Sequence, residues 1–321
     1  MSEFDLIRTH FARLGTSRDD VILGVGDDCA LLRVPAGCEL AVSIDTLVAG
    51  VHFLPEVNPE ALGHKALAVS LSDLAAMGAE PAWATLALTL PADLPSTRPD
   101  WVDAFCRGLD ALALEQGVAL VGGDTTSGPL AISIQVHGFV PQGQAVRRQG
   151  AGPGDLVCVS GTLGDAGLAL RAILAGLAPP DGLRARLERP TPRVAAGLAL
   201  RGQASAMIDC SDGLAADLGH ILEASGVGAD LRLADLPLSP DVARAVAAAG
   251  DWALPLASGD DYELCFTLPA QSRGALPELA RTAGCPLAVI GLIREGRGLR
   301  CWLPDGGEFH LGRTGYDHFA A

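Results

Sequence analysis

A carboxylate set into the apolar stripe of a helix is the strongest condition this chain places on its own fold. Between Pro59 and Gly78 the sequence reads as one helix with both ends punctuated. At 3.6 residues per turn, Leu62, Ala66, Val69, Asp73 and Met77 share a face that is apolar except for Asp73. Desolvating an unpaired carboxylate costs several kcal/mol, so the fold must bring a partner to Asp73. A neighbouring loop or an arginine would serve as well as a bound cation, and the rest of the chain has to decide.

Taken in order, the chain repeats one pattern: an apolar strand that ends in glycine and acids. Residues 3 to 14 space Phe4, Ile7, Phe11 and Leu14 as a short amphipathic helix. Residues 21 to 32 read as strand, glycine bend with Asp27 and Asp28, and second strand; residues 40 to 48 form a strand with Asp45 in its middle. His52 follows in a loop marked by Pro55 and Pro59. After the Asp73 helix come a strand over 84–90, a helix over 101–116, a strand from Val118 that runs into a Gly122-Gly123-Asp124 turn, and a strand over 130–140. The turn-rich segment Pro141–Asp155, with Arg147 and Arg148, divides a domain of residues 1–142 from one of residues 143–321.

The second half opens with a strand over 156–160, glycines at 161, 164 and 167, and an Ala/Leu helix. That layout can aim backbone amides at a phosphate, or it can simply let strand and helix pack closely. Neither a dinucleotide fingerprint nor a P-loop is present. Pro179–Pro192 reads as a loop with several arginines. Residues 205–213 then repeat strand and acids, with Asp209, Ser211, Asp212 and Gly213 ahead of a helix from Leu214 to Ala224. Asp217 and His220 lie on that helix and read as its solvated face. Gly259, Asp260, Asp261, Tyr262 and Glu263 again set acids beside glycine, before a strand through Cys265 and Phe266.

Composition excludes several classes. At 321 residues the chain has room for two cores, and no apolar run reaches the roughly 18 residues of a membrane span. The start has no signal pattern, and eight scattered cysteines without Cys-x-x-Cys read as reduced core residues, so a cytoplasmic protein is expected. A formal charge of −15 excludes a general nucleic-acid surface. Twenty-two of the 23 basic residues are arginine, and Lys65 is the one lysine.

The acids are the chemistry. Asp28, Asp45, Asp73, Asp124, Asp209 and Asp212 sit on glycine bends, at strand ends or in apolar surroundings. Two carboxylates about 4 Å apart repel by roughly 4 kcal/mol at an effective dielectric of 20, so a cluster of them needs cations. All-oxygen ligation suits Mg²⁺ or Mn²⁺, and such metals with open positions are what polyphosphates bind. Nucleotide phosphoryl transfer is the expectation that follows.

Gly26–Leu32, Asp45–Phe53, Lys65–Pro81, Gly122–Thr125, Ile208–Leu214, Asp260–Leu264 and Gly315–Phe319 together resemble the bacterial thiamine-monophosphate kinases, in that family's order and from end to end of the chain. The resemblance implies ATP-dependent conversion of thiamine monophosphate to thiamine diphosphate. It implies an α/β (α+β) fold of two domains like that of aminoimidazole ribonucleotide synthetase, the N-terminal sheet pairing across a homodimer and the C-terminal domain α/β. By the same resemblance Asp28, Asp45, Asp73, Asp124, Asp209 and Asp212 hold several Mg²⁺ ions. Gly123, Asp124, Arg148 and Ser211 meet ATP, while His52, Asp260 and Tyr316 meet thiamine monophosphate. Ser258 departs from the family by standing where a glycine is expected, and the glycine loop at 161–167 is short.

The expected acceptor is a phosphate monoester with a second pKa of about 6, already ionised at neutral pH. No protein base or nucleophile is therefore called for, and transfer is expected to be in line without a phosphoenzyme. Two alternatives remain: another ATP-using enzyme of the same fold, of the aminoimidazole ribonucleotide or selenophosphate synthetase type, and a non-catalytic metal and nucleotide binding module.

Overall fold

A computed structural model describes residues 7–12 and 14–316. The chain divides into two units, Met1–Leu74 with Ala79–Gly143, and Ala75–Gly78 with Gln144–Ala321. Among the described residues no helix is long and apolar enough to cross a membrane.

The first unit begins with a helical turn, Ile7–Phe11; Phe4, assigned to the same helix from sequence, lies outside the described residues. An antiparallel pair, β1 (Val21–Leu23) and β2 (Leu31–Leu32), flanks the acidic bend. The main sheet contains β3 (Cys38–Val48), β4 (Glu80–Leu90), β5 (Ala119–Ser127) and β6 (Ala131–Pro141) in the order β3-β6-β4-β5. Only β4 and β5 run parallel. Helix α1 (Pro59–Ala76) and helix α2 (Trp101–Glu115) complete the unit.

Strand alternation gives this sheet two unlike faces. Ile132, Ile134 and Val136 are buried on one face, where Ser70 of α1 donates to the Ile134 carbonyl at 3.1 Å. The register of β3 against β6 sets Ser43 and Asp45 on that helix-covered face and Leu40, Val42 and Ile44 on the opposite one. Helices α1 and α2 approach backbone to backbone. A Cβ on Gly63 would lie 2.0 Å from the Phe105 carbonyl oxygen, and one on Gly108 would lie 1.8 Å from that of Glu60.

In the second unit seven strands form one sheet: β7 (Leu156–Ser160), β8 (Ala206–Asp209), β9 (Gly228–Arg232), β10 (Leu264–Leu268), β11 (Leu287–Arg294), β12 (Gly298–Trp302) and β13 (Glu308–Phe309). Their order is β13-β12-β9-β11-β7-β10-β8, antiparallel except where β9 meets β12. Every residue of β7 and β10 is buried, as expected of interior strands with both faces covered. The helices that matter for the site are α3 (Asp165–Leu174), α4 (Asp181–Glu188), α5 (Val194–Leu200) and α6 (Leu214–Ser225). Leu214, Leu218 and Ile221 of α6 pack into a core with Val157, Ile208, Leu231 and Ile290.

Two local expectations are corrected, and an alternative left open at residues 161–167 gains a packing explanation. Gly122-Gly123-Asp124 is not a turn: β5 continues through it to Ser127. Gly123 pairs with Leu86, has φ +151°, and a Cβ there would lie 1.9 Å from the Leu86 carbonyl oxygen, so glycine serves close strand pairing. Pro179–Pro192 is not all loop, because α4 occupies its middle and buries Leu183 and Leu187 against Ala166 and Ala169 of α3. The glycines at 161–167 serve packing: Cβ atoms at 161, 164 and 167 would collide with Glu263, crowd Pro255 and collide with Ser258 respectively.

Candidate functional site

The acids fall into two groups, one in each unit. In the first unit Asp45 from β3 and Asp73 from α1 share the covered face of the sheet. The Ser43 hydroxyl donates to the Asp73 carboxylate. Asp45 Oδ2 is buried without a hydrogen-bond partner. Burial, and then the charge of Asp73, push the Asp45 carboxyl up to about 6. A carboxylate oxygen left bare beside a second carboxylate fits a hard divalent cation, which would supply the missing countercharge. Among the described residues, no three His, Cys, Asp or Glu side chains already converge as a cage. The remaining ligands of such an ion would come from water and phosphate oxygens.

Asp124 lies exposed on β5, beside Gly123. Both line an open, shallow cleft with Gly122 and Thr125, whose apolar walls are Ile7, Phe11, Val25, Leu86 and Leu120. Asp28 is exposed in the bend that follows Val25. His52 is half-buried just past β3, where its Nδ1 accepts the Val48 amide at 3.0 Å. That bond specifies the neutral-ring acceptor at Nδ1 and fixes the ring in the loop.

In the second unit the backbone gathers the other predicted residues. Asp209 is buried at the end of β8. The Ser211 carbonyl accepts the Asp260 amide at 2.8 Å, and the Asp212 carbonyl accepts the Tyr316 amide at 3.0 Å. Ser211, Asp212, Asp260 and Tyr316 are thereby tied into one cluster. Arg148 is exposed, with its carbonyl accepting from the Ser225 hydroxyl, and no such bond joins it to the cluster. Asp317, His318 and Phe319 of the closing motif lie outside the described residues.

Asp217 is not on a solvated face. It is 3% exposed and accepts the amides of Asp212 and Gly213 at 3.2 and 3.0 Å, capping the turn that opens α6. Burial, then the charges of Asp209 and Asp212, push its carboxyl up to about 8. His220 is exposed, as expected. The departure at Ser258 is benign for the backbone: φ there is −81°, open to any residue, and its hydroxyl turns back to the Leu254 carbonyl at 2.6 Å. The glycine that the turn requires is Gly259, at φ +70° and with the Ser211 carbonyl oxygen 2.6 Å from a Cβ placed there.

Sequence reasoning missed Glu263, Arg186 and Arg193. Glu263 is fully buried and binds both arginines, Arg186 at 2.7 Å and Arg193 through Nε at 2.6 Å and Nη2 at 2.5 Å. Arg186 belongs to the segment read as loop and Arg193 follows it directly, and nothing in local spacing connects them to a residue 77 and 70 positions away. The apolar cleft walls Ile7 and Phe11 were visible as a periodic pattern, but their role was not.

Family models match in the same two parts. AIR synthase related protein, N-terminal domain, covers residues 26–140, and AIR synthase related protein, C-terminal domain, covers residues 152–303. Thiamine-monophosphate kinase of Escherichia coli strain K12 is 49% identical over 323 residues, spanning 99% of this chain and 98% of the relative. The crystal structure of thiamine-monophosphate kinase from Stenotrophomonas maltophilia K279a superposes with a TM-score of 0.85 at 47% identity, covering 95% of this chain and 96% of that one. AaThiL complexed with AMPPCP and TMP gives a TM-score of 0.77 at 32% identity, with 92% of each chain covered. With identity of this order over nearly the whole length, and with both domain models in place, the chain belongs to the thiamine-monophosphate kinase family and has the two-domain fold of the AIR synthase related proteins.

Proposed function

We propose that this chain transfers the γ-phosphoryl group of ATP to the phosphate of thiamine monophosphate, giving thiamine diphosphate and ADP. The observation that carries the reading is Asp45 Oδ2, a buried carboxylate oxygen without a partner beside Asp73. A fold with no cation to bind there would leave a costly defect on the helix-covered face of β3. The names of the full-length relatives, and the AMPPCP and TMP carried by AaThiL, supply the two substrates.

In this reading Asp28, Asp45, Asp73, Asp124, Asp209 and Asp212 hold Mg²⁺, which when bound neutralises charge between the two phosphates. The cleft beside Gly123 and Asp124 takes the nucleotide, its apolar walls suiting a base. Arg148 offers a guanidinium fork to phosphate, and Ser211 a hydroxyl. Asp260, Tyr316 and His52 orient thiamine monophosphate. The acceptor oxygen is already ionised, so the chain's own task is to hold two anions in line and exclude water, without a general base. Six buried free thiols suit a reducing, cytoplasmic setting.

A homodimer is part of the proposal. Leu40, Val42 and Ile44 are 42, 52 and 60% exposed on the open face of an edge strand. Such a row is well suited to a second copy.

The test is chromatographic detection of thiamine diphosphate from ATP, Mg²⁺ and thiamine monophosphate, repeated with Asp73→Asn. Product from the wild type and a loss of about a hundredfold or more in the variant are expected, the size of effect seen when one charge-stabilising group is removed. ATP binding without product would reject the kinase reading.

A further inference from the structure

The segment that presents Asp260 is bent against its own backbone preference. Gly259, Asp260 and Tyr262 have φ of +70°, +64° and +50°, and two of these three are not glycine. Left-handed backbone of this kind persists only where surrounding structure over-determines it. Here the restraints are explicit. The amides of Asp260 and Tyr262 donate to the carbonyls of Ser211 and Cys210, each at 2.8 Å, and the Cys210 amide donates to the Glu263 carbonyl at 2.7 Å.

The side chains divide by burial: Asp261 and Glu263 are buried, while Asp260 and Tyr262 are half-exposed. The Asp261 carboxylate accepts the Gly164 amide at 3.0 Å. Arg186 donates to the Asp261 carbonyl at 3.1 Å as well as to Glu263. Arg193 grips Glu263 through two nitrogens, and the Ser160 hydroxyl donates to its Oε2 at 2.5 Å while accepting the Leu264 amide at 2.9 Å. The cage closes on Gly161, where a Cβ would lie 2.0 Å from Glu263 Oε1. A buried carboxylate held by two arginines and a serine and packed against a tight glycine is a rigid anchor three residues from Asp260.

We infer that Glu263, held by Arg186, Arg193 and Ser160, is a positioning residue that sets the affinity for thiamine monophosphate by fixing Asp260 in its reversed backbone. The inference rests on the proposed contact between Asp260 and that substrate. Glu263 touches no substrate itself and acts through the turn.

The test is steady-state kinetics of the full chain with MgATP and thiamine monophosphate varied separately, for Glu263→Gln, Asp260→Ala and the double variant. Glu263→Gln should raise KM for thiamine monophosphate about tenfold while kcat and KM for ATP stay within about twofold. Because both substitutions weaken one interaction, the double variant should be no worse than Asp260→Ala alone. Multiplying effects, or an equal fall in every parameter, would overturn the inference. If Asp260→Ala raises this KM and Glu263→Gln does not, the positioning role fails and the site assignment stands. If Asp260→Ala changes nothing, the assignment fails and the inference with it. Should Glu263→Gln not fold by circular dichroism, Ser160→Ala leaves the ion pairs intact and should raise the same KM about threefold, the effect of one lost hydrogen bond; no change there would equally overturn the role.

Discussion

Asp45 carries a conflict that a cation can resolve. Its carboxyl, at about 6 against an ordinary 3.8, keeps a proton in the folded chain that the unfolded chain has already released. Between those values the folded state binds more protons, so the stability of the metal-free protein should fall as pH rises from about 4 to about 6. In the proposed site Mg²⁺ would bind only the folded arrangement. At pH 7 and a hundredfold excess over its dissociation constant it should raise stability by about 2.7 kcal/mol, read as an upward shift of the calorimetric transition. Asp45→Asn should lessen the pH slope between about 4 and 6, leaving the part that the raised Asp217 and Asp261 carboxyls contribute, and lose most of the Mg²⁺ gain. An unaltered Mg²⁺ response in that variant would remove Asp45 from the metal site.

At the scale of elements, the tightest constraint is the crossing of α1 and α2. Gly108 and Gly63 place backbone against backbone, so Gly108→Ala has to force the helices apart. A loss of about 3 kcal/mol or more is expected, at the upper end for overpacking because the obstacle is main chain, and thermal unfolding followed at 222 nm would measure it. A variant within 0.5 kcal/mol of wild type would show that the helices separate freely. This contact explains a limit of the sequence. The period and the end signals of α1 were readable, since they are local. The purpose of Gly63 and Gly108 was not, since each is defined by a helix tens of residues away. The same holds for Gly123, where two glycines and an acid spell a turn by local rules and strand pairing with Leu86 overrules them. Helix α4 was hidden by its arginines, although Leu183 and Leu187 stand four apart on its buried side.

At the scale of the whole molecule, the open face of β3 predicts association. Ile44→Asp should convert a dimer to a monomer in light scattering, because a charge at the centre of an apolar contact is left without a partner. A wild-type chain that is monomeric at every concentration would overturn the homodimer. Of the proposed site, the acids stood out in the sequence because each is a charge set in a short apolar or glycine-rich motif. Asp217 and the Glu263 anchor were not, because their work is to brace neighbouring loops from inside the second unit.

The placement of sulfur has a practical consequence. Cys106, Cys158, Cys210, Cys265, Cys285 and Cys301 are buried, and burial pushes the thiols of Cys106 and Cys158 up to about 12, out of reach of alkylation at neutral pH. Lys65, the one lysine, is buried too. Among the described residues Cys29 is the exposed thiol, next in sequence to Asp28, with Cys38 only half-buried. A maleimide fluorophore would thus find its open address at the acidic bend, giving an optical reporter of that loop without altering a single codon.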